Sequence, residues 1–221
     1  MADPQTSILS LRGVSAADFD LGHREVALVE TDDEEIEDFV DLCLGLAEPP
    51  GGEVWCLGAP WAAQAYRERL ARRRRIGTLA GTQVWPAHVP VAQVALLPQL
   101  HHSDHAEDEI VAEATALARR FGLAGLPTPT RETVHPGDLA RTACVRAFLG
   151  APEFVVIADP ALEAMPELAL PLAQAIGAVQ DRGGGVLWLK ASLSAPAARF
   201  VKADHILRLT AHGLVRAGRL P

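Results

Sequence analysis

The chain has 221 residues, of which 28 are acidic and 20 basic, and its formal net charge at pH 7 is -8. This length allows one large domain or two small ones, each with a full core, and the apolar fraction of 49% argues against a disordered chain. The net negative charge argues against a general nucleic-acid-binding protein. No apolar run reaches the roughly 18 residues of a membrane span, and the N-terminus lacks the features of a secretory signal. Since Cys43, Cys56 and Cys144 form no CxxC pair, we expect a reducing, cytoplasmic compartment.

The negative charge is concentrated in one stretch. Eight acids and no base lie between Glu30 and Asp41, and the rest of the chain has as many acids as bases. We call this stretch the acidic run. Its basic counterpart is the arginine run, Arg72–Arg75. Such runs are usually solvated faces, but the acidic run directly follows a predicted strand, where many proteins bind ligands.

The first part of the chain predicts two strands, a helix and a third strand. The strands cover residues 8–11, 25–29 and 53–57. Thr31 or Asp32 offers an N-cap for the helix, with Glu34 and Glu35 as capping-box partners. The apolar residues at helical spacing, which we expect to be buried, are Ile36, Phe39, Val40, Cys43 and Leu46.

The rest of the chain alternates between helices and strands. The predicted helices cover residues 62–75, 91–123 with a polar break at 101–105, 139–149 and 168–180. The predicted strands cover residues 76–79, 154–158 and 186–189, followed by a terminal hairpin of 206–209 and 214–215. Continuous apolar runs such as 154–158 are typical of central parallel strands. The alternation predicts an α/β domain with a largely parallel sheet.

Four groups of residues together match a known arrangement in order and spacing. They are Leu9–Ser15, Leu44–Leu46 with Pro50–Val54, Arg141–Pro160, and Ala203–Leu209. Over nearly its whole length the chain thereby resembles the ATP-binding subunits of ABC transporters. The resemblance implies an ABC-type P-loop NTPase-like fold, with a mostly parallel sheet, an inserted helical subdomain and a small N-terminal antiparallel β part. It also implies one domain over residues 1–221, with the sheet core in 1–80 and 150–221 and the helical subdomain in about 82–149.

The phosphate loop of this family needs glycines whose N–H groups wrap the phosphates, a lysine, and a Ser or Thr for Mg²⁺. The matching residues here are Glu30, Thr31, Asp32, Asp33, Glu34, Glu35, Ile36, Glu37 and Asp38. They contain no glycine, Ile36 stands at the position of the lysine, and Glu37 at that of the metal-binding hydroxyl. The chain's own carboxylates therefore stand where a helix N-terminus would hold phosphate, and they would repel a triphosphate.

The other nucleotide motifs depart from the family in the same direction. The metal-binding Asp and the catalytic Glu are matched by Ala158 and Asp159, which makes Asp159 the one candidate catalytic position, although a structural role is favoured for it. The signature stretch is matched by Val134, His135, Pro136, Gly137 and Asp138. The Q-loop glutamine is matched by Gly81, with Gln83 close by, and the switch histidine by Ala191. The chain resembles the family but lacks all of these motifs, and this argues against ATP hydrolysis by its own site.

Three functions stay open. The first is a catalytically degenerate ABC subunit, a non-hydrolysing structural or regulatory partner in a membrane transport complex. It would need no cofactor, because ATP and Mg²⁺ are expected only in a competent partner subunit. It would bind a permease and a second ATPase subunit or a copy of itself, at the cytoplasmic face of the membrane, and no nucleic acid. The second is a soluble interaction or regulatory protein that kept the fold. The third, an active ATPase with an atypical site, needs a cation placed to meet phosphate, and the sequence near Thr31 offers none.

Several other residues invite a functional interpretation. His101, His102, Asp104 and His105 could bind a metal ion, but they have no second ligand cluster, so a polar loop and no metal site is expected. Trp188 lies in an apolar strand and is expected in the core. We expect a permease to dock around residues 81–99, where Trp85, Pro86 and Pro90 could hold its coupling helix. The arginine run offers charge to an acidic partner surface.

Overall fold

The computed structural model describes residues 3–14, 17–31, 33–80, 85–158, 162, 165–190, 200–210 and 213–216, with the backbone alone for residues 17 and 33–35. The strands are β1 (Leu9–Val14), β2 (Ala17–Leu21), β3 (Val26–Glu30), β4 (Glu53–Cys56), β5 (Ala59–Pro60), β6 (Ile76–Ala80), β7 (Phe154–Ala158), β8 (Gly185–Lys190), β9 (His205–Thr210) and β10 (Gly213–Arg216). The α-helices are α1 (Asp33–Cys43), α2 (Tyr66–Arg73), α3 (Val91–His102), α4 (Glu107–Arg120), α5 (Pro136–Phe148) and α6 (Ala169–Asp181).

The larger sheet has six strands in the order β10-β9-β3-β8-β7-β6. In this order each strand from β9 to β6 pairs in parallel with the next, and β10 pairs antiparallel with β9. In register, Glu30 of β3 lies opposite Lys190 of β8 on one side and Arg208 of β9 on the other. The predicted parallel sheet and terminal hairpin are thus confirmed. We call the edge at which the parallel strands end the carboxyl edge.

Both faces of this sheet are buried, which explains the continuous apolar runs of its central strands. Along β7, Phe154, Val156 and Ala158 pack into one core, and Val155 and Ile157 into another. The second of these cores, the helical-side core, also takes in residues of α3, α4, α5 and α6. Trp188 of β8 lies there, 2% exposed, as predicted for a core residue.

The other face of the sheet is covered by α1 and a second sheet. This antiparallel sheet has the order β2-β1-β4-β5, and it confirms the small N-terminal antiparallel part. Its strand β2 was not predicted, because only Phe19 and Leu21 are strongly apolar in it, separated by Asp20. Apolar residues of β1, β4 and α1 form the N-terminal-side core with the alternate residues of β3, β7 and β8.

Three helix boundaries differ from the prediction. Helix α2 begins at Tyr66 rather than at residue 62, because residues 61–63 form a turn in which Trp61 is buried. Helix α5 begins at Pro136, three residues before the predicted start, since proline suits a first helical position. His101 and His102 complete α3, and the break between α3 and α4 falls at residues 103–106.

Leu46 was expected on the buried stripe of α1, and this is wrong, because its side chain is 58% exposed. The helix ends at Cys43, and the chain turns at Gly45, whose φ is 64°. This left-handed turn, which glycine adopts readily, takes Leu46 off the helical stripe. Among the described residues, no helix is long and apolar enough to cross a bilayer.

Candidate functional site

The carboxyl edge brings together several of the predicted nucleotide-site positions. Here β3 ends with Glu30, followed by Thr31, while β7 ends with Ala158 and β8 with Lys190. Open α/β sheets bind their ligands outside the carboxyl ends of the strands. The edge is therefore the candidate site, and its charges decide which ligands it can accept.

Glu30 is held by an ion pair across the sheet. Its Oε2 accepts a hydrogen bond from Nε of Arg208 at 2.8 Å, and Nη2 of the same guanidinium also contacts it. The Glu30 side chain is 23% exposed, so the pair is partly shielded from water. The residue at the first phosphate-loop position is thus engaged with β9.

Thr31 and Lys190 continue the pairing of β3 with β8. The backbone N–H of Thr31 donates to the carbonyl oxygen of Lys190 at 3.0 Å. Both residues are buried, at 3% and 2% exposure, and the Lys190 ammonium lies 4.8 Å from the ring centroid of Trp188. A buried ammonium is stable only when hydrogen bonds and negative charge compensate for its lost hydration.

Lys190 is a charged residue of this edge that the sequence analysis did not single out. The sequence near Thr31 offers no cation, and in the fold β8 brings the backbone of Lys190 beside Thr31, while the ammonium lies over the ring of Trp188. The available signal was a lysine at the end of an apolar strand, directly before Ala191, the residue matched to the switch histidine. The carboxyl edge therefore carries Glu30 between two cations, Lys190 and Arg208.

Helix α1 carries the remaining residues of the phosphate-loop stretch. Its backbone begins at Asp33, followed by Glu34 and Glu35. Ile36 is buried in the N-terminal-side core, whereas Glu37 and Asp38 are exposed. Ile36, which the resemblance matches to the phosphate-loop lysine, therefore packs inward, and its side chain offers no charge to a phosphate.

The stretch matched to the signature motif forms the start of α5. His135 is the N-cap, and its Nδ1 accepts a hydrogen bond from the N–H of Gly137 at 3.0 Å. Pro136 has no N–H to donate, and Val134 is half-buried just before the cap. A carboxylate in the first turn, Asp138, adds a further negative charge. Side chains of the chain itself occupy this helix N-terminus, where an anion would otherwise be favoured.

Some of the predicted positions lie outside the described residues. They are Asp32, Gly81, Gln83, Asp159 and Ala191. Asp159 therefore stays a prediction, and Ala158 is the described residue of that motif. Within the described part of the chain, no three His, Cys, Asp or Glu side chains meet in a way that could hold a metal ion. His105, from the candidate histidine group, instead lies 3.6 Å from the carboxylate of Glu109.

The arginine run does not form the free basic face that its sequence suggested. The Arg72 guanidinium donates to the carbonyl oxygens of Cys56 and Ala59, and that of Arg73 to those of Leu44 and Gly45. The Arg74 guanidinium donates to the carbonyl oxygen of His102, and that of Arg75 to the carboxylate of Glu153. These contacts bind α2 to the end of α1, to β4 and β5, and to the end of α3. The run is thus mainly a set of structural links.

The expected docking residue Trp85 is also engaged inside the protein. Its side chain is 8% exposed, and the guanidinium of Arg146 lies 5.5 Å from its ring centroid. Exposed apolar side chains occur instead on α3, where Leu97 is 50% and Leu100 40% exposed. An apolar docking surface on this part of the molecule would therefore be formed by α3 rather than by Trp85.

Comparisons with known proteins agree with this architecture. No family model matches the chain. The phosphonates import ATP-binding protein PhnC 2 of Synechococcus sp. (strain JA-2-3B'a(2-13)) is 23% identical over 146 residues, covering 63% of this chain and 54% of the relative. The chain thus spans about half the length of this curated relative.

Solved structures match over almost the whole chain. The dimeric bacterial ABC transporter cassette MJ0796 superposes with a TM-score of 0.79 at 16% identity, covering 94% of this chain and 97% of the cassette. The cbiO1 subunit from Clostridium perfringens, part of the ABC transporter complex cbiONQ, gives a TM-score of 0.73 at 13% identity, covering 95% of this chain and 87% of cbiO1. The chain has the fold of an ABC transporter ATP-binding cassette, as its sequence predicted.

Proposed function

We propose that the chain is a catalytically degenerate ATP-binding subunit of an ABC transporter, a non-hydrolysing structural or regulatory partner in a membrane transport complex. The carboxyl edge carries this proposal. Glu30, tied to Arg208, replaces the first phosphate-loop residue, and Ile36, packed in the core, replaces the lysine. The fold is kept, while the groups that would hold phosphate are replaced by groups that satisfy one another.

Electrostatics support the loss of nucleotide binding. A triphosphate at this edge would approach the acidic run, and each unit-charge pair at about 4 Å costs on the order of 4 kcal/mol at a surface-like dielectric. The cations of the edge do not offset this repulsion, because Arg208 is paired with Glu30 and Lys190 is buried at 2% exposure. Under this proposal ATP and Mg²⁺ bind only to a competent partner subunit.

The proposed partners are a permease and a second ATPase subunit or a copy of this chain, at the cytoplasmic face of the membrane. Three similarities support them. PhnC 2 is named an import ATP-binding protein, cbiO1 is part of a transporter complex, and the MJ0796 cassette is dimeric. The exposed Leu97 and Leu100 on α3 give the helical segment an apolar surface that such a partner could cover.

A second candidate, an ATPase with an atypical site, is favoured by one observation. β8 ends at the carboxyl edge with a lysine, Lys190, whose backbone carbonyl accepts a hydrogen bond from the N–H of Thr31. Calorimetry and turnover measurements separate the two candidates. We expect the wild type to bind ATP-Mg more weakly than about 1 mM and to show no turnover. Micromolar affinity, or a turnover that Lys190→Ala or Asp159→Ala abolishes, would contradict the proposal.

A rebuilt loop provides the positive control for that measurement. Asp33→Gly, Glu35→Gly and Ile36→Lys together restore glycines and a lysine, so some phosphate affinity should return, without hydrolysis because Ala158 and Ala191 remain. Glu37→Gln with Asp38→Asn is the control for lost acidic charge, since it also removes two negative charges, adds no lysine and alters only exposed side chains. If this control gains as much affinity as the rebuilt loop, general repulsion and not loop chemistry explains the weak binding.

The partner assignment needs its own test. The tagged chain is purified from gently solubilised membranes, and the bound proteins are identified by mass spectrometry. A permease together with an ATPase subunit, or with further copies of this chain, is the expected result. A strict monomer with no membrane subunit would instead favour the soluble interaction protein that kept the fold.

A further inference from the structure

A cationic pocket lies away from the carboxyl edge. It has a volume of about 370 Å³ and lies between α2, β6, α3 and α5. The first three residues of β6, Ile76–Thr78, line it, so it lies at the amino end of this strand, opposite the candidate nucleotide edge. Its lining includes Arg73, Arg74, His102 and Arg146 but no carboxylate.

Arg146 is the group in this pocket whose charge most needs a partner. Its guanidinium is half-buried over Trp85, and burial lowers its pKa. Within the described part of the chain, no carboxylate lies within ion-pair distance of it, whereas Arg141, one turn earlier on α5, contacts both Asp138 and Glu167. A positive charge that is partly desolvated without a counter-charge is unfavourable, and a bound anion would relieve this cost.

A second arginine, Arg74, lines the pocket from the end of α2. Arg74 follows α2, and its guanidinium donates to the carbonyl oxygen of His102 at the end of α3. Arg73 contributes less, because its guanidinium donates to the carbonyl oxygens of Leu44 and Gly45. The hydroxyl-bearing side chain of Thr78 also lines the cavity.

We propose that this pocket binds a small organic anion whose carboxylate or phosphate group is held by Arg146 and Arg74. Guanidiniums bind the oxygens of both groups through paired, charge-assisted hydrogen bonds. The apolar part of the ligand would lie against Leu70, Ile76 and Leu149, which line the same cavity. The volume falls in the range of small-molecule sites in proteins, and four elements of the fold surround the cavity, which is partly open to solvent.

The site would have a mechanical consequence. Arg74 belongs to the segment that leads into β6 of the sheet, and Arg146 to α5 of the helical part. An anion bound by both would link the sheet to the helical part and limit their relative motion. This inference is independent of the proposed function, because none of its residues lies at the carboxyl edge.

Binding is tested with citrate and with inorganic phosphate as probes. Thermal unfolding and calorimetry are run at constant ionic strength, with sodium chloride as the reference salt. We expect at least one probe to raise the melting temperature of the wild type above that in sodium chloride. Arg146→Gln should weaken the binding of that probe about tenfold or more, the effect expected for losing charged hydrogen bonds. Arg67→Gln, an exposed residue of α2 outside the pocket, should leave the affinity unchanged.

The two probes and a second variant make the outcome decisive. A response to phosphate alone identifies a phosphate-bearing ligand, and a response to citrate alone a carboxylate. If Arg146→Gln fails to fold, Arg74→Gln replaces it, since residue 74 is exposed and outside the core. No stabilisation beyond that in sodium chloride, or equal affinity in the pocket variants and Arg67→Gln, would overturn the proposal.

Discussion

The close approach of β6 to α5 at Gly77 gives a prediction that can be worked out from the structure. A β-carbon built at Gly77 would lie 1.9 Å from the carbonyl oxygen of Ala147 and 3.2 Å from Cγ of Pro152. The nearer atom is backbone, so no side-chain rotation can relieve the overlap, and either the strand or the helix must move. Overpacking of a core costs about 1–3 kcal/mol. For Gly77→Ala we expect the free energy of unfolding to fall by an amount near the upper end of this range, about 3 kcal/mol.

A matched variant should change stability in the opposite direction. Gly177 lies inside α6, and a β-carbon there would meet no atom within 4 Å. Gly177→Ala should therefore stabilise the protein by about 0.5–1 kcal/mol, through the better helix propensity of alanine.

Urea unfolding followed by circular dichroism measures both variants, and we expect unchanged m values with midpoints that move in opposite directions. A Gly77→Ala variant within about 0.5 kcal/mol of the wild type, which is the scatter of neutral surface substitutions, would refute the packing of β6 against α5.

Three smaller predictions concern other contacts. Trp61→Phe removes the indole N–H that donates to the Cys43 carbonyl at 3.0 Å, and it should cost about 1 kcal/mol in urea unfolding; an unchanged midpoint would contradict this hydrogen bond. The hydrogen bond from Arg75 lowers the pKa of Glu153. The pair therefore stabilises the fold at pH values above the unfolded-state pKa of glutamate, about 4.3, and this contribution is lost as the pH falls through the lowered pKa of the folded state. Arg75→Gln should therefore cost less than about 1 kcal/mol at pH 7, since the pair is half exposed, and the difference from the wild type should vanish in acid; a difference that grows in acid would reverse the assignment. Burial raises the pKa of Cys56 to about 12 and also raises that of Cys43, so a thiol reagent at pH 8 should label them only after unfolding, and rapid labelling of the folded protein would show that they are accessible.

The parallel sheet could be predicted because its central strands are buried on both faces. Residues 154–158 and 186–189 are apolar without interruption, and in the structure their alternate side chains enter the two cores. A solvated face would have interrupted this pattern with polar residues. Strand order and register were not predicted, since periodicity says nothing about which strands are neighbours.

Contacts between distant segments explain where the sequence was misleading. The helical spacing predicted a buried Leu46, but the chain turns at Gly45 against the ring of Trp61, where a β-carbon would come within 2.4 Å of that ring. The pattern of Arg72–Arg75 predicts a solvated face, yet Arg72 and Arg73 are half-buried and their guanidiniums donate to carbonyl groups at the ends of other elements. A local sequence pattern cannot reveal an acceptor that another segment supplies.

The charges of the carboxyl edge bear on the proposed loss of nucleotide binding. The resemblance matches Glu30 to a phosphate-loop glycine, and its register neighbours on the two adjacent strands are both cations, Lys190 and Arg208. Of these two, Arg208 forms an ion pair with Glu30, whereas the Lys190 ammonium lies over the ring of Trp188. In a working phosphate loop the ligand supplies the negative charge and the protein the positive charge. Here the chain supplies both, so restoring glycines and a lysine within α1 would still leave the Glu30 carboxylate at the mouth of the loop. Under the proposed function, full phosphate affinity therefore also requires replacing Glu30, a step that frees the guanidinium of Arg208 on β9.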